Sequence, residues 1–340
     1  MTDLAAEDVQ SAPLATTAEL VDEMRNGRMV VLVDAEDREN EGDLIIPAQM
    51  ATPDAVNFMA RYGRGLICLA MTRDRASDLG LSEMVRTNQS RNRTAFTQSI
   101  EARDGISTGI SAHDRALTIA TAIDPTKDSD AIVSPGHVFP LIARDGGVLI
   151  RAGHTEASVD LARMAGLNPA SVICEIMNDD GTMARLPDLK IFARRQGLKI
   201  GTIEDMIAYR LRHDRIVTQV METTVRSAYD DEFRMHVYET NVDPAEHIAL
   251  VKGDLSGPGP VLVRVHAVNV LTDLAGIGSD AECCLVEQSL RAITAEGRGI
   301  VILIRDVRPR AVSEWLANRG LSKNKASDEH RKSRQVEIGV

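Results

Sequence analysis

The stretch VDAEDRENEGDLIIP runs from Val33 to Pro47. Asp34, Glu36, Asp37, Glu39, Glu41 and Asp43 fall within ten residues, around a single arginine, Arg38. The apolar run MVVLVD (29–34) precedes this cluster, and LIIPA (44–48) follows it. Val, Ile and Leu runs of this length, broken by a turn containing Gly42, read as two buried strands joined by an acidic connection. Carboxylates gathered at a sheet end repel one another. One reading is a solvated charged loop. The other is a divalent-cation site, because hard cations take oxygen ligands and often use one or two carboxylates with water and substrate. The residues of this stretch alone leave both readings open.

Outward from the acidic turn, strands and helices alternate. Thr16-Thr17-Ala18-Glu19 is a capping box that opens a short helix ending near Gly27. Thr52-Pro53-Asp54 starts another helix with proline at its first position, and Gly63 stops it. GLICLAMT (65–72), GGVLI (146–150), SVICEIM (171–177) and LKIGT (198–202) read as strands. Ser111 and Thr155 are candidate helix caps, and helices are expected near 188–196 and from Ile203 to about Arg212. Near His213 the texture becomes β-rich with alternating polar residues, as in antiparallel strands with one wet face. The expected fold class is therefore α+β (mixed α/β). A loose tail at 1–15, a mixed-sheet three-layer domain at 16–212 and a smaller β-rich domain at 216–340 are the expected parts.

The 340 residues carry a net charge of −11, and 44% are hydrophobic but only 3% aromatic. Cores must then be built from Ala, Val, Ile, Leu and Met. A basic surface is the usual footprint of nucleic-acid binding, so no nucleic-acid partner is expected. The N-terminus MTDLAAEDVQSAP has neither a charged n-region nor an apolar h-region. No stretch of about 20 apolar residues exists, so no membrane partner and a cytoplasmic location are expected. Cys68, Cys174, Cys283 and Cys284 form no CxxC pair, so neither a disulfide framework nor a zinc ribbon is indicated.

Four further stretches carry candidate chemistry. In RAGHTEA (151–157), Arg151 can fork onto a phosphate. The backbone from Gly153 to Thr155 at a helix start favours an anion, and His154 is a candidate ligand or proton carrier; a capped helix with a surface histidine is the alternative. In GISTGISAHDR (105–115), Thr108 and its neighbours can cradle a phosphate or merely cap a helix. In SPGHVFPL (134–141), two prolines and a glycine hold His137 in a stiff loop, which suits acid–base work. In ICEIMNDDGTMAR, burial would raise the pKa of Glu175 and suit it to proton transfer; alternation could instead point it to solvent.

Together, DAEDRENEGDLIIPA, RYGRGLICLAMT, TGISAHDRALTI, SPGHVFPL, GGVLIRAGHTEASVDLARMAG, CEIMNDDGTMAR and IEDMIAYR, in order over roughly 15–212, resemble the 3,4-dihydroxy-2-butanone 4-phosphate synthases of riboflavin biosynthesis. The resemblance implies conversion of D-ribulose 5-phosphate to the four-carbon product plus formate, with Mg²⁺ or Mn²⁺. It implies Glu39 and His154 as metal ligands and Arg38 and Asp43 as substrate contacts. Glu41 is implied in proton chemistry, and Arg151, Gly153 and Thr155 in a phosphate grip, with Thr108 a lesser candidate. His137 and Glu175 are implied in turnover, Glu175 also as a substrate contact. A homodimer with active sites at its interface is implied as well.

EHIALVKGDLSGPGPVLVRVHA (246–267) resembles GTP cyclohydrolase II, whose zinc is held by three cysteines soon after an Arg-x-His strand. Here Arg264-Val265-His266 is followed by Ala267, Val268, Asn269 and Val270, where that family has Ser-Glu-Cys-Leu. Adjacent Cys283 and Cys284, with no third cysteine near, are a poor tetrahedral set. No zinc and no GTP cyclohydrolase II activity are expected. The alternative is a bifunctional enzyme with zinc held by Cys283, Cys284 and His266.

Overall fold

A computed structural model describes residues 13–229, 232–240, 245–279, 284–306 and 310–319. The chain divides into two compact units at Asp214/Arg215. The first begins with helix α1, Thr17–Arg25, where Thr16 and Glu19 form the expected reciprocal cap. Ahead of it the Ala15 N–H donates to Ile200 O (2.7 Å), so Ala15 is already tied to the unit. The rest of the expected tail, residues 1–12, lies outside the described residues.

The elements that follow are β1 (Val30–Val33), β2 (Gly42–Pro47), α2 (Pro53–Phe58), β3 (Cys68–Met71), α3 (Arg73–Asp78), β4 (Ile100–Ala102), α4 (Ala112–Ile123), β5 (Ile132–Ile142), α5 (His154–Met164), β6 (Ala170–Glu175), α6 (Leu186–Gln196), β7 (Lys199–Thr202) and α7 (Ile203–His213). Seven strands form one mixed sheet in the order β4-β5-β3-β6-β2-β1-β7. The β3–β5 and β1–β7 pairs are parallel and the others antiparallel.

Alternation along the strands splits the core in two. Val31, Val33, Leu44 and Ile46 pack with residues of α2, α4 and α6. Val30, Leu32 and Ile45 pack with residues of α1, α5 and α7. Helices thus cover both faces, which is the expected three-layer arrangement. It also explains why the strands read as unbroken apolar runs. The β1–β2 register pairs Val33 with Gly42, so the acidic residues 34–41 are the connection of an antiparallel pair. Gly42 is required here because a Cβ would collide with the methyls of buried Leu189 on α6.

Three local expectations need correction. GGVLI is not a strand: Gly147–Leu149 is a short 3₁₀ turn. Gly146 and Gly147 adopt φ of +86° and +65°, and buried Asp160 accepts the Val148 N–H (2.9 Å), drawing the backbone off any sheet. Thr155 does not cap α5; the cap position is Gly153, because side-chain room there is filled by the Arg38 and Arg151 guanidiniums. SPGHVFPL is not a free loop but lies within β5.

The second unit contains β8 (Val217–Val225), β9 (Phe233–Thr240), β10 (Glu246–Lys252), β11 (Leu262–Val268), α8 (Val270–Asp273), α9 (Leu285–Glu296), β12 (Gly299–Arg305) and α10 (Ala311–Asn318). Its five-stranded sheet runs β11-β12-β10-β9-β8. Phe233 and Val301 pack there with Leu290 and Ile293 of α9. Helix α9 begins at Leu285, with Cys284 at its cap position, and Cys283 lies outside the described residues.

Gly42→Ala should lower the unfolding free energy by about 1–3 kcal/mol, the usual cost of overpacking. Adding Leu189→Ala should make the pair less destabilised than the sum of the two singles. Denaturant titration of all three variants measures this.

Candidate active site

Buried Asp34 organises the acidic turn. Its Oδ2 accepts the Glu39 N–H (3.1 Å) and its Oδ1 the Glu41 N–H (2.8 Å). Arg38 Nη1 donates to Asp34 Oδ2 (2.7 Å) and also pairs with Glu39. Asn40 takes a left-handed conformation, φ +55°. The carbonyls on either side of that kink are held by Arg185 Nη1, which donates to Glu39 O (2.8 Å) and to Asn40 O.

The turn faces α5. His154 is buried at the helix start, and its Nε2 lies 3.1 Å from Leu32 O. A carbonyl can only accept, so Nε2 carries the proton and Nδ1 presents a lone pair. That lone pair points toward carboxylates: Glu39 Oε2 is 3.9 Å from Nδ1 and Asp43 Oδ1 is 3.8 Å. Burial pushes the His154 pKa down, favouring the neutral ring. Asp34, Glu39 and His154 each offer a donor atom, all within 4.8 Å of one another. Asp34 spends both oxygens on backbone N–H groups that shape the turn, whereas Glu39 is held by side chains, Arg38 and Asn92, and faces His154 Nδ1. A neutral imidazole whose distal nitrogen is fixed by a carbonyl, set beside carboxylates, fits a divalent cation.

Three more carboxyl groups crowd this spot. Asp43 on β2 is register-paired with Glu175 on β6. Burial, then the charges of Glu175 and Glu39, push the Asp43 pKa well above its ordinary value. Burial and the charges of Glu39 and Glu175 raise Glu41 as well. Glu175 is not left to solvent: its Oε2 accepts the Leu66 N–H (2.8 Å), beside Gly65, whose missing Cβ makes room for it. Beneath lie two buried thiols, Cys68 and Cys174; burial lifts Cys174 to about 12.

At the N-terminus of α5, a Cβ on Gly153 would meet both Arg151 Nη1 and Arg38 Nη2. Two guanidiniums and a helix start thus converge, a combination that favours an anion. Arg151 is held by Glu156 Oε2 (2.6 Å), Asn92 O and Thr94 Oγ1 (2.8 Å). Asn92 Nδ2 also donates to Glu39 Oε1 (2.6 Å). Asn92 therefore ties the candidate anion site to the candidate metal site. Thr155 is buried in the first turn of α5.

Arg38, Glu39, Glu41, Asp43, Arg151, Gly153, His154, Thr155 and Glu175 thus gather in one region. His137 and Thr108 do not join them. His137 pairs with Glu101 on β4, and next to exposed Thr108 is Gly109, which abuts that pair. Strand β5 is three steps from β2 in the sheet, about 14 Å at the usual strand spacing. Sequence reasoning assigned no role to Asp34, Asn92, Glu101 or Arg185. Asp34 and Arg185 stood inside quoted stretches; Asn92 lies in polar sequence without periodicity.

An acidic turn, an imidazole with a free nitrogen and an arginine-flanked helix start, carried on a three-layer α/β scaffold, form a candidate site for a cation beside an anion. Comparison with known proteins narrows this. Residues 18–209 match the family described as 3,4-dihydroxy-2-butanone 4-phosphate synthase, and 218–340 match GTP cyclohydrolase II. A 3,4-dihydroxy-2-butanone 4-phosphate synthase of Photobacterium phosphoreum is 44% identical over 96% of this chain and 89% of that protein. The crystal structure of RibBX, a two-domain 3,4-dihydroxy-2-butanone 4-phosphate synthase from A. baumannii, is 42% identical. It covers 88% of this chain and 85% of its own, with a TM-score of 0.72. A synthase structure in complex with two magnesium ions is 42% identical over 59% of this chain and 99% of its own, TM-score 0.57. The chain belongs to the 3,4-dihydroxy-2-butanone 4-phosphate synthase family and carries a GTP cyclohydrolase II-like C-terminal domain.

Because Asp43 is raised in the fold, the folded protein keeps a proton that the unfolded chain releases, and metal-free stability falls as pH rises through that window. His154, lowered, acts in the opposite sense below its ordinary value. Asp43→Asn should therefore raise the midpoint of thermal unfolding of metal-free protein near neutral pH and flatten its fall with pH. Calorimetry across pH with chelator present measures this.

Proposed function

We propose that the chain converts D-ribulose 5-phosphate to 3,4-dihydroxy-2-butanone 4-phosphate and formate in riboflavin biosynthesis. The observation that carries this reading is the His154 Nδ1 lone pair aimed at the Glu39 and Asp43 carboxylates. Glu39 and His154 are the proposed ligands for Mg²⁺ or Mn²⁺, which when bound polarises carbonyl and hydroxyl oxygens of the sugar. Arg38, Arg151 and the Gly153–Thr155 backbone anchor the phosphate, and Thr108, which lies on the His137 side, is a further contact from a second copy of the chain. Asp43, with its raised pKa, holds a proton near a substrate hydroxyl, and Glu41 and Glu175 accept protons from carbons next to a carbonyl. The route runs through an enediol, loss of water, a skeletal shift and excision of one carbon, and each of these steps moves a proton.

His137 completes the set from a second copy of the chain in a homodimer. The separation of β5 from β2 within one sheet supports this, since three strand-to-strand steps exceed the reach of a proton transfer. The location is proposed to be the cytoplasm; among the described residues no helix is long and apolar enough to cross a membrane.

The second unit is proposed to lack GTP cyclohydrolase II activity. Asn269, where the resembling family has a cysteine, spends its Oδ1 on the Leu271 N–H (2.9 Å) at the start of α8. His266 spends its Nε2 on Asp273 (2.9 Å). A bifunctional enzyme is the second reading, favoured by the family match over residues 218–340.

Ribulose 5-phosphate with Mg²⁺ should yield formate, and GTP should yield none. Glu39→Gln and His154→Gln should each lower kcat by about 10²-fold or more, the scale of an acid–base or electrostatic contribution. Formate from GTP would establish the second reading instead. Refolding Glu39→Gln chains together with inactive His137→Gln chains should restore about a quarter of wild-type activity if a two-fold dimer builds each site from both copies. No recovery in mixed dimers would count against a shared site.

A further inference from the structure

Asn92 stands between the acidic turn and the start of α5, on the segment that joins α3 to β4. Glu39 lies 53 residues away from it and Arg151 lies 59 away, so no local turn brings the three together. Asn92 is half-buried, and its Nδ2 donates to Glu39 Oε1 (2.6 Å). An ionised carboxylate can only accept, so the carboxamide must turn its donor end to Glu39. With Oε1 engaged there, Oε2 is the oxygen that faces Arg38 and, at 3.9 Å, His154 Nδ1.

The Asn92 backbone makes the second link. Its carbonyl accepts from Arg151 Nε (3.2 Å) and Nη2 (3.1 Å), both on one edge of the guanidinium. The remaining nitrogen, Nη1, is the one that a Cβ on Gly153 would strike, so it faces the candidate anion site. A guanidinium is planar and rigid. An anion that draws on Nη1 therefore acts on a plate whose other edge grips Asn92. The segment is braced as well. Asn88 Nδ2 donates to Thr94 O (2.9 Å), and Asn88 Oδ1 accepts the Ser90 N–H (3.0 Å) and the Ser90 hydroxyl (2.7 Å). The Arg93 N–H donates to Ser90 O (3.1 Å). Arg93 takes φ +49°, a left-handed conformation that a non-glycine residue keeps only where its surroundings impose it. Asn92 thus rides on a closed turn.

We infer that Asn92 is a positioning residue that couples the candidate cation and anion sites. An anion at Gly153 fixes Arg151, Arg151 fixes the Asn92 carbonyl, and the Asn92 amide holds Glu39 with Oε2 aimed at His154. A divalent cation and inorganic phosphate then each tighten the binding of the other by the same factor, beyond what their direct attraction supplies. Arg38 also reaches both Glu39 and the space at Gly153, so part of the coupling survives without Asn92. This role rests on the reading of Glu39 and His154 as cation ligands.

Electron paramagnetic resonance of free Mn²⁺ over the full-length protein, with and without inorganic phosphate and against protein-free blanks, tests it. The wild type should bind Mn²⁺ about fivefold or more tightly when phosphate is saturating. Asn92→Leu keeps the branching of the side chain and lacks the donor. It should weaken Mn²⁺ binding by about 10-fold, the scale for losing a partner of a metal ligand, and cut the phosphate effect to about twofold or less. Asn92→Gln, which keeps the donor on a longer arm, should recover part of both. A purely structural role would lower the thermal midpoint of Asn92→Leu and leave the phosphate effect at its wild-type size; that result, or unchanged Mn²⁺ affinity in Asn92→Leu, would overturn the inference. A wild type that binds no Mn²⁺ would overturn the metal reading and this inference with it. A wild type that shows the coupling while ribulose 5-phosphate yields no formate would overturn the proposed reaction and leave the role of Asn92 standing.

Discussion

Two oxygens of one buried carboxylate hold the β1–β2 connection together. Asp34 accepts the N–H groups of Glu39 and Glu41 and takes Arg38 on the same side. Those bonds wrap the chain so that Glu39 turns inward toward His154 and not out to water. Arg185 clamps the carbonyls at the Asn40 kink from the opposite direction. The turn is therefore rigid before any ligand arrives, which is what a site must be if binding is not to cost the ordering of a loop. Arg38 pairs with Asp34 and Glu39 and the charge of Arg185 acts on Glu41, yet burial and like charge still raise the pKa values of Asp43 and Glu41. The fold carries an electrostatic cost at this spot that a bound cation would relieve.

Helix α5 supplies the other half. Its inner face packs with Leu32 and Ile45 in the core that also holds Ala157 and Leu161. This packing brings the helix start against the end of β1, and Leu32 O then selects the His154 tautomer. The same helix start gathers Arg151 and Arg38 around Gly153, where a side chain would not fit. Hydrophobic packing on one face of the sheet thus sets the separation between the groups proposed to hold a cation and those proposed to hold an anion.

Much of this was legible before the fold. The acidic turn between two apolar runs, the capping box at Thr16 and the helix of residues 203–213 follow from local patterns that tertiary structure did not override. The strands flanking the turn read as fully buried because helices cover both faces. The failures are also local. GGVLI has strand composition, but two left-handed glycines and a hydrogen bond to Asp160 turn it into a 3₁₀ segment, and no periodicity signals a partner twelve residues away. Thr155 has cap chemistry, yet the arginines beside Gly153 set the helix start two residues earlier. Asp34, Asn92, Glu101 and Arg185 act through side-chain hydrogen bonds to distant or backbone atoms. Such bonds leave no signature in spacing, so composition could place Asp34 in the cluster but could not make it the hub.

The most direct test is anomalous scattering from crystals of the full chain grown with Mn²⁺ and ribulose 5-phosphate. The account predicts a metal peak within about 2.3 Å of a Glu39 carboxylate oxygen and of His154 Nδ1. A metal bound away from both side chains, or His154 rotated so that Nε2 rather than Nδ1 faces the carboxylates, would contradict it.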